Sequence, residues 1–221
     1  MNFYSVFILS QLAIFPFLFA IIKSKYSNEI NKLNIFFVVS YITECIISLL
    51  IKSKLYNYST ITGNLFILIS CILLVTFFID KKSKEKYFII IFFTILWLID
   101  NKIIHNLNER NSFSRIIFNI IIFILSIRLF YNIIMLKSNK TNIKSLLFFT
   151  SGFIINSIFR INYEAIYHIK KATNIETSKA IFNVIVFSNA FANILFTYAY
   201  ICFKKQKKIQ SYISYFKLHE P

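Results

Sequence analysis

Glu44 is the residue that most invites a chemical reading, because it stands inside the apolar stretch SYITECIIS, residues 40–48. A charged side chain at the centre of a bilayer costs about 2.5–3.5 kcal/mol on insertion scales, so such groups turn toward a bundle interior or a watery cavity. Glu44 has two ways to meet that cost. It can stay ionised beside a cation, for which Arg115 and Arg160 are the available types. It can instead stay protonated and donate a hydrogen bond to an amide such as Asn189 or Asn193. A structural acid and a ligand- or proton-sensing acid are both open on this evidence.

The other polar residues within apolar runs are Asp100, Arg115, Arg128, Arg160 and Glu164, with the amides Gln11, Asn64, Asn119, Asn156, Asn183, Asn189 and Asn193. Arg160 and Glu164 are four apart and share a helix face, so they can pair. Asn189 and Asn193 have the same spacing beside Ser188, Ala190 and Ala192, a pattern that suits close helix packing with hydrogen bonds across the interface. Such bonds contribute about 1 kcal/mol each, and the packing reading is preferred for that pair. Arg128 is placed to snorkel toward a membrane face. Trp97 and most tyrosines lie near the ends of apolar runs, where aromatic rings anchor at the interface. The candidate polar cavity is therefore Glu44, Asn64, Trp97, Asp100, Arg115, Asn156, Arg160, Glu164, Asn189 and Asn193.

The elements that must position these residues are membrane helices. The chain has 221 residues, 57% of them hydrophobic, with only two Gly and two Pro. Its apolar blocks are long enough for the roughly 20 helical residues that cross a hydrocarbon core. Runs such as IIFNIIIFILSI (116–127) lack the period-two alternation of a barrel strand, so the backbone must satisfy itself as helix. Spans are predicted at about 3–22, 34–51, 61–79, 87–104, 113–135, 145–166 and 180–203, a seven-helix all-α integral membrane domain over residues 1–203. The first span lacks a small-residue cleavage site and reads as a retained helix. The connecting segments are too short to house another domain.

Charge sets the expected orientation. The formal net charge is +16, and the Lys and Arg residues lie mostly in the loops. Fifteen fall in the first, third and fifth loops and the segment after residue 203, against seven on the opposite side, which places the N-terminus outside and the C-terminus in the cytoplasm. Asn64, Asp100, Arg115, Arg160, Glu164 and Asn183 then lie in the outer third, with Glu44, Asn156, Asn189 and Asn193 near mid-depth. That bias suits a cavity open to the extracytoplasmic side of an inner membrane. The segment 204–221 carries Lys204, Lys205, Lys207 and Lys208 next to Ile209, Tyr212, Ile213 and Phe216 at helical spacing. It reads either as an amphipathic helix drawn to anionic lipid or as a plain stop-transfer signal.

Several function classes lose ground. A nucleic-acid role lacks any folded soluble groove. Cys45, Cys71 and Cys202 all fall in apolar blocks and form no framework or metal pattern, and His105, His168 and His219 have no ligand spacing. Neither a cofactor nor a catalytic residue is assigned. Retinal chemistry is disfavoured because residues 180–203 contain no lysine for a Schiff base. The preferred reading is a non-enzymatic, receptor-like or partner-binding membrane protein. A small-solute or ion-coupled transporter, an intramembrane lipid hydrolase using Glu44, Asp100 or Glu164, and a membrane accessory of a defence or secretion system are the alternatives.

A set of short motifs also resembles an uncharacterised family of small seven-helix membrane proteins of Bacteroidetes-type bacteria. These are the proline of FPFLFAIIK (15–23), the Thr43–Glu44 pair, NSFSR (111–115), SGFIINS (151–157) and the N-x-x-x-N of Asn189 and Asn193. The resemblance spans essentially the whole chain and implies the seven-helix architecture. The family often carries acids where this chain has Asn64 and Asn119, so shared acid chemistry is not implied.

Overall fold

The computed structural model describes residues 12–23, 28–79, 83–135, 143–169 and 175–203, and almost all of them are helical. The helices are α1 (Ile14–Lys23), α2 (Asn28–Lys52), α3 (Tyr56–Phe78), α4 (Lys84–Ile99), α5 (Ser112–Met135), α6 (Ile143–Ile169) and α7 (Ile175–Cys202). A π-helical turn, Asp100–Ile104, extends α4. Among the described residues six helices are long and apolar enough to cross a membrane, from Asn31–Lys52 through Asn183–Cys202, which marks a polytopic membrane protein. The expected first span, 3–22, falls partly outside the described residues, and the helix seen there is the short Ile14–Lys23. Gln11 and the basic segment with Lys204, Lys205, Lys207 and Lys208 also lie outside them.

The helix ends follow local chemistry. Ser83 caps α4, its Oγ accepting from the Glu85 N–H at 3.3 Å. Lys54 ends α2 in the left-handed region, at φ 60°. Around it Lys54 N–H donates to Ile51 O (3.0 Å) and Leu55 N–H to Leu50 O (2.8 Å), the paired bonds of a Schellman motif with lysine where glycine is usual. Two lysines of the expected cytoplasmic loops serve the C-termini of other helices. Lys23 Nζ donates to the carbonyls of Tyr200 and Phe203, and Lys32 Nζ donates to Thr76 O at 2.7 Å. Each puts a cation where a helix dipole is negative and carbonyls lack partners.

Neighbour packing closes a ring. Helix α1 packs on α2, α2 on α3, α3 on α5, α5 on α6, α6 on α7, and α7 back on α1. Helix α4 sits outside the ring against α3 and α5. Its outward stripe of Phe88, Ile91, Phe92, Ile95 and Leu98 is exposed, as a lipid-facing surface would be.

Toward the end holding Lys23 and Lys32, the ring is filled by rings. Phe37 lies 4.9 Å from Phe196 and 5.8 Å from Tyr200, Phe153 lies 4.8 Å from Phe196, and Phe149 lies 5.0 Å from Tyr200, centroid to centroid. The buried Tyr200 hydroxyl donates to Asn34 Oδ1 at 2.6 Å, which gives the phenol its acceptor within the plug. Gly152 lets α6 approach this plug, because a Cβ there would stand 2.5 Å from Phe196 Cε1.

Candidate functional site

Two polar clusters lie within the bundle, one inside the ring and one at the end of α4. The ring encloses a cavity of about 70 Å³. Every ring helix contributes to its wall and α4 contributes nothing. The plug residues Phe37, Phe153 and Phe196 form the apolar side. The polar side carries Glu44 from α2, Asn156 and Arg160 from α6, and Asn189 and Asn193 from α7.

Arg160 organises the polar side. Its Nε donates to Asn156 Oδ1 at 3.0 Å, one turn earlier on α6, and its Nη2 donates to Asn189 Oδ1 at 3.3 Å across the α6–α7 interface. Glu44 is on the opposite wall with an exposed side chain. It feels the Arg160 charge electrostatically, yet no hydrogen bond or ion pair joins the two among the described residues. The expected Arg160–Glu164 pair does not form. Although i,i+4 spacing puts them on one face, each finds a better partner on another element.

Glu164 belongs to the second cluster, at the π-turn end. It accepts from Arg110 Nη2 at 2.6 Å and from Arg110 Nε at 3.4 Å, so the loop 105–111 is pinned to α6. The Arg110 guanidinium also stacks 4.8 Å and 4.7 Å from the rings of Tyr163 and Tyr167. Burial works against the Arg110 charge, but Glu164 beside it and the two tyrosines outweigh that and hold its pKa above the ordinary value.

Asp100 is fully buried in the same cluster. Its Oδ2 accepts from Ser114 N–H at 2.8 Å and from Ser114 Oγ, and its Oδ1 meets His105 Nδ1 at 3.0 Å. Ser114 lies in the first turn of α5, where backbone N–H groups lack helical partners, so Asp100 caps a helix it does not belong to. Asn64 Nδ2 reaches the carbonyls of Leu107 (3.0 Å) and Glu109 (2.9 Å), and its Oδ1 accepts from Arg115 Nη2 at 3.0 Å. Gly63 leaves room for that guanidinium, which a Cβ would approach to 3.2 Å. Trp97, expected as an interfacial anchor, is buried, with its Nε1 donating to Asn64 O at 3.0 Å.

Of the ten residues read from the sequence, Glu44, Asn156, Arg160, Asn189 and Asn193 thus line the cavity. Asn64, Trp97, Asp100, Arg115 and Glu164 form the second cluster. Sequence reasoning missed the cavity residues Ser40, Tyr41, Ser70 and Ser157 and left the amide Asn119 out of the candidate set, and it missed Arg110, Asn101, Asn111 and Ser114 in the cluster. The signal available for the latter was the density of amides and charges in DNKIIHNLNERNSFSR (100–115), of which HNLNERNS (105–112) reads as a connecting segment. Arg128, expected to snorkel, pairs with Glu85 at 2.8 Å on the bundle surface. Among the described residues no group of three His, Cys, Asp or Glu is placed to hold a metal ion. No protein-family model, curated protein or solved structure matches the chain, and the arrangement of these side chains carries the functional argument.

Proposed function

We propose that this chain is a receptor-like protein of the inner (cytoplasmic) membrane, with seven spans, an outside N-terminus and a cytoplasmic C-terminus. It binds a small polar ligand in the ring cavity and passes that state to a partner protein on the cytoplasmic side. The observation that carries the proposal is the cavity itself: polar groups of five ring helices converge on it, and Glu44 faces it without a partner among the described residues. The basic residues of the first, third and fifth loops support the orientation. The basic segment with Lys204, Lys205, Lys207 and Lys208 supports contact with anionic lipid. The resemblance to small seven-helix membrane proteins of Bacteroidetes-type bacteria is in keeping with this architecture.

Two features favour binding over transport or catalysis. The cavity ends at an aromatic plug, and among the described residues the π-helical turn, Asp100–Ile104, belongs to α4 outside the ring. Alternating access generally uses interrupted helices at the substrate site. The buried acids Asp100 and Glu164 are engaged in capping and pairing, which leaves lipid hydrolysis short of a free acid–base pair. A role as accessory of a defence or secretion system is the same reading with a different partner.

The test is purification from native membranes in mild detergent, with mass spectrometry for bound small molecules and proteins, alongside solute uptake into proteoliposomes. Recovery of a ligand or partner that Asn189→Leu loses supports the reading. Accumulation of solute driven by a proton or sodium gradient, abolished by Glu44→Gln, overturns it in favour of transport.

A further inference from the structure

We infer that the ring cavity is built for a small zwitterion, its anionic end held by Arg160, Asn156 and Asn189 and its cationic end by Glu44. This rests on the reading of the cavity as a ligand site and adds the chemical class.

Arg160 sets the donor side of the cavity. A guanidinium only donates, so the amide oxygens of Asn156 and Asn189 must face it, which fixes both amides in one orientation. Their Nδ2 groups then point away from Arg160 and have no hydrogen-bond partner among the described residues. The wall around Arg160 is thereby a set of donors, two amide NH2 groups and the unused guanidinium N–H groups. A set with that composition recognises a carboxylate or phosphate oxygen.

Glu44 supplies the opposite requirement. Its carboxylate is an acceptor facing the same cavity, with no partner among the described residues. Asn193, on the same wall system, has an equally unengaged side chain amide. Glu44 and Arg160 attract each other without meeting, which leaves a gap bounded by one acceptor and several donors. An ordinary structural ion pair would close that gap.

Net charge decides between ligand classes. Glu44 and Arg160 are the two charged residues of the lining and cancel, so a ligand with no net charge leaves the lining neutral. A simple anion or cation would leave one charge uncompensated at membrane depth, where an unpaired ion is costly. A zwitterion compensates both ends at once. The cavity's modest volume limits the class to solutes about the size of a short amino acid, or to the ammonium–phosphate head group of a lipid.

The experiment uses the full chain in nanodiscs of phosphatidylglycerol, with calorimetric titration of glycine, β-alanine and γ-aminobutyrate against propionate and propylamine. The expected result is that at least one amino acid binds about tenfold or more tightly than both half-ligands, a difference of about 1.4 kcal/mol. E44Q should abolish that preference while propionate binding persists. E44D, which keeps the charge but withdraws it by one methylene, should move the preference to the next longer amino acid, and it serves where E44Q does not fold. Nanodiscs doped with phosphatidylethanolamine separate the sources: loss of amino-acid binding there names the lipid head group as occupant, and unchanged binding names a free solute. Half-ligands that bind as well as the amino acids, or no binding by any probe in either lipid, overturn the inference. An amino-acid preference that survives E44Q unchanged overturns it while leaving a ligand-binding receptor in place. Amino-acid accumulation in proteoliposomes keeps the ligand class and removes the receptor reading.

Discussion

Replacing Gly152 by alanine tests how tightly the cavity floor is built. The added Cβ would stand 2.5, 2.9 and 3.1 Å from three carbons of the Phe196 ring, where ordinary contact begins near 3.4 Å. Relief needs a retreat of almost 1 Å by the nearest ring atom. That ring is buried and wedged between Phe37 and Phe153, at 4.9 and 4.8 Å, so the retreat must be shared with α6 itself. Overpacking of this kind costs about 1–3 kcal/mol. Alanine returns about 0.5–1 kcal/mol through its better helix propensity, so the net destabilisation should be about 0.5–2 kcal/mol. Titration with SDS in mixed micelles, followed by far-UV circular dichroism, reads that quantity directly. A double-mutant cycle sharpens it, because Phe196→Leu removes the ring edge that Cβ would strike. In that background Gly152→Ala should become neutral or stabilising, a coupling of about 1 kcal/mol or more. Equal cost of Gly152→Ala with and without Phe196 would refute the close approach of α6 and α7.

Three further outcomes follow from the other contacts. Asp100→Ala removes the cap of α5 and strands Ser114 and His105, so unfolding in SDS should be easier by about 2–4 kcal/mol, against about 1–2 for Asp100→Asn; ligand affinity should be unchanged if Asp100 only fastens. Glu164→Gln and Arg110→Ala should each release the loop 105–111, at about 1–3 kcal/mol, with faster limited proteolysis at that loop as the check. Lys54→Gly should stabilise by about 1 kcal/mol, since glycine occupies φ 60° without the Cβ penalty; a lower unfolding midpoint would contradict the Schellman assignment.

The helices were legible because each apolar run is bounded by lysines or turn residues, and the observed ends fall within a few residues of the predicted spans for α3, α5 and α6. The convergence of Glu44 with Asn156, Arg160, Asn189 and Asn193 was legible at the level of depth alone: residues at similar height in a bundle have a fair chance of meeting. Partner choice was not legible. Spacing nominated Arg160 for Glu164, whereas the acid pairs with Arg110, 54 positions away, because a loop that folds back can offer two donors and two aromatic faces at once. Depth also grouped Asp100 and Asn64 with the cavity. It could not reveal that a π-turn aims Asp100 at the start of α5, since nothing local in DNKII marks an i+5 bond. Trp97 looked like an interfacial ring for a similar reason: its neighbourhood depends on Asn64, 33 residues away.

The α1–α7 seam has a consequence for how the chain is made. Lys23 finds its acceptors at Tyr200 and Phe203, about 180 residues downstream, and the buried face of α1, with Pro16 and Ala20, is covered partly by α7. During synthesis at about 5–20 residues per second, that face must wait some ten seconds or more for its partner. Through that interval α1 has a short apolar helix and an unsatisfied cation, with half of its seam missing. The nascent bundle is therefore an open crescent, dependent on lipid or an insertase for temporary cover, and its cavity comes into being only when the last helix docks.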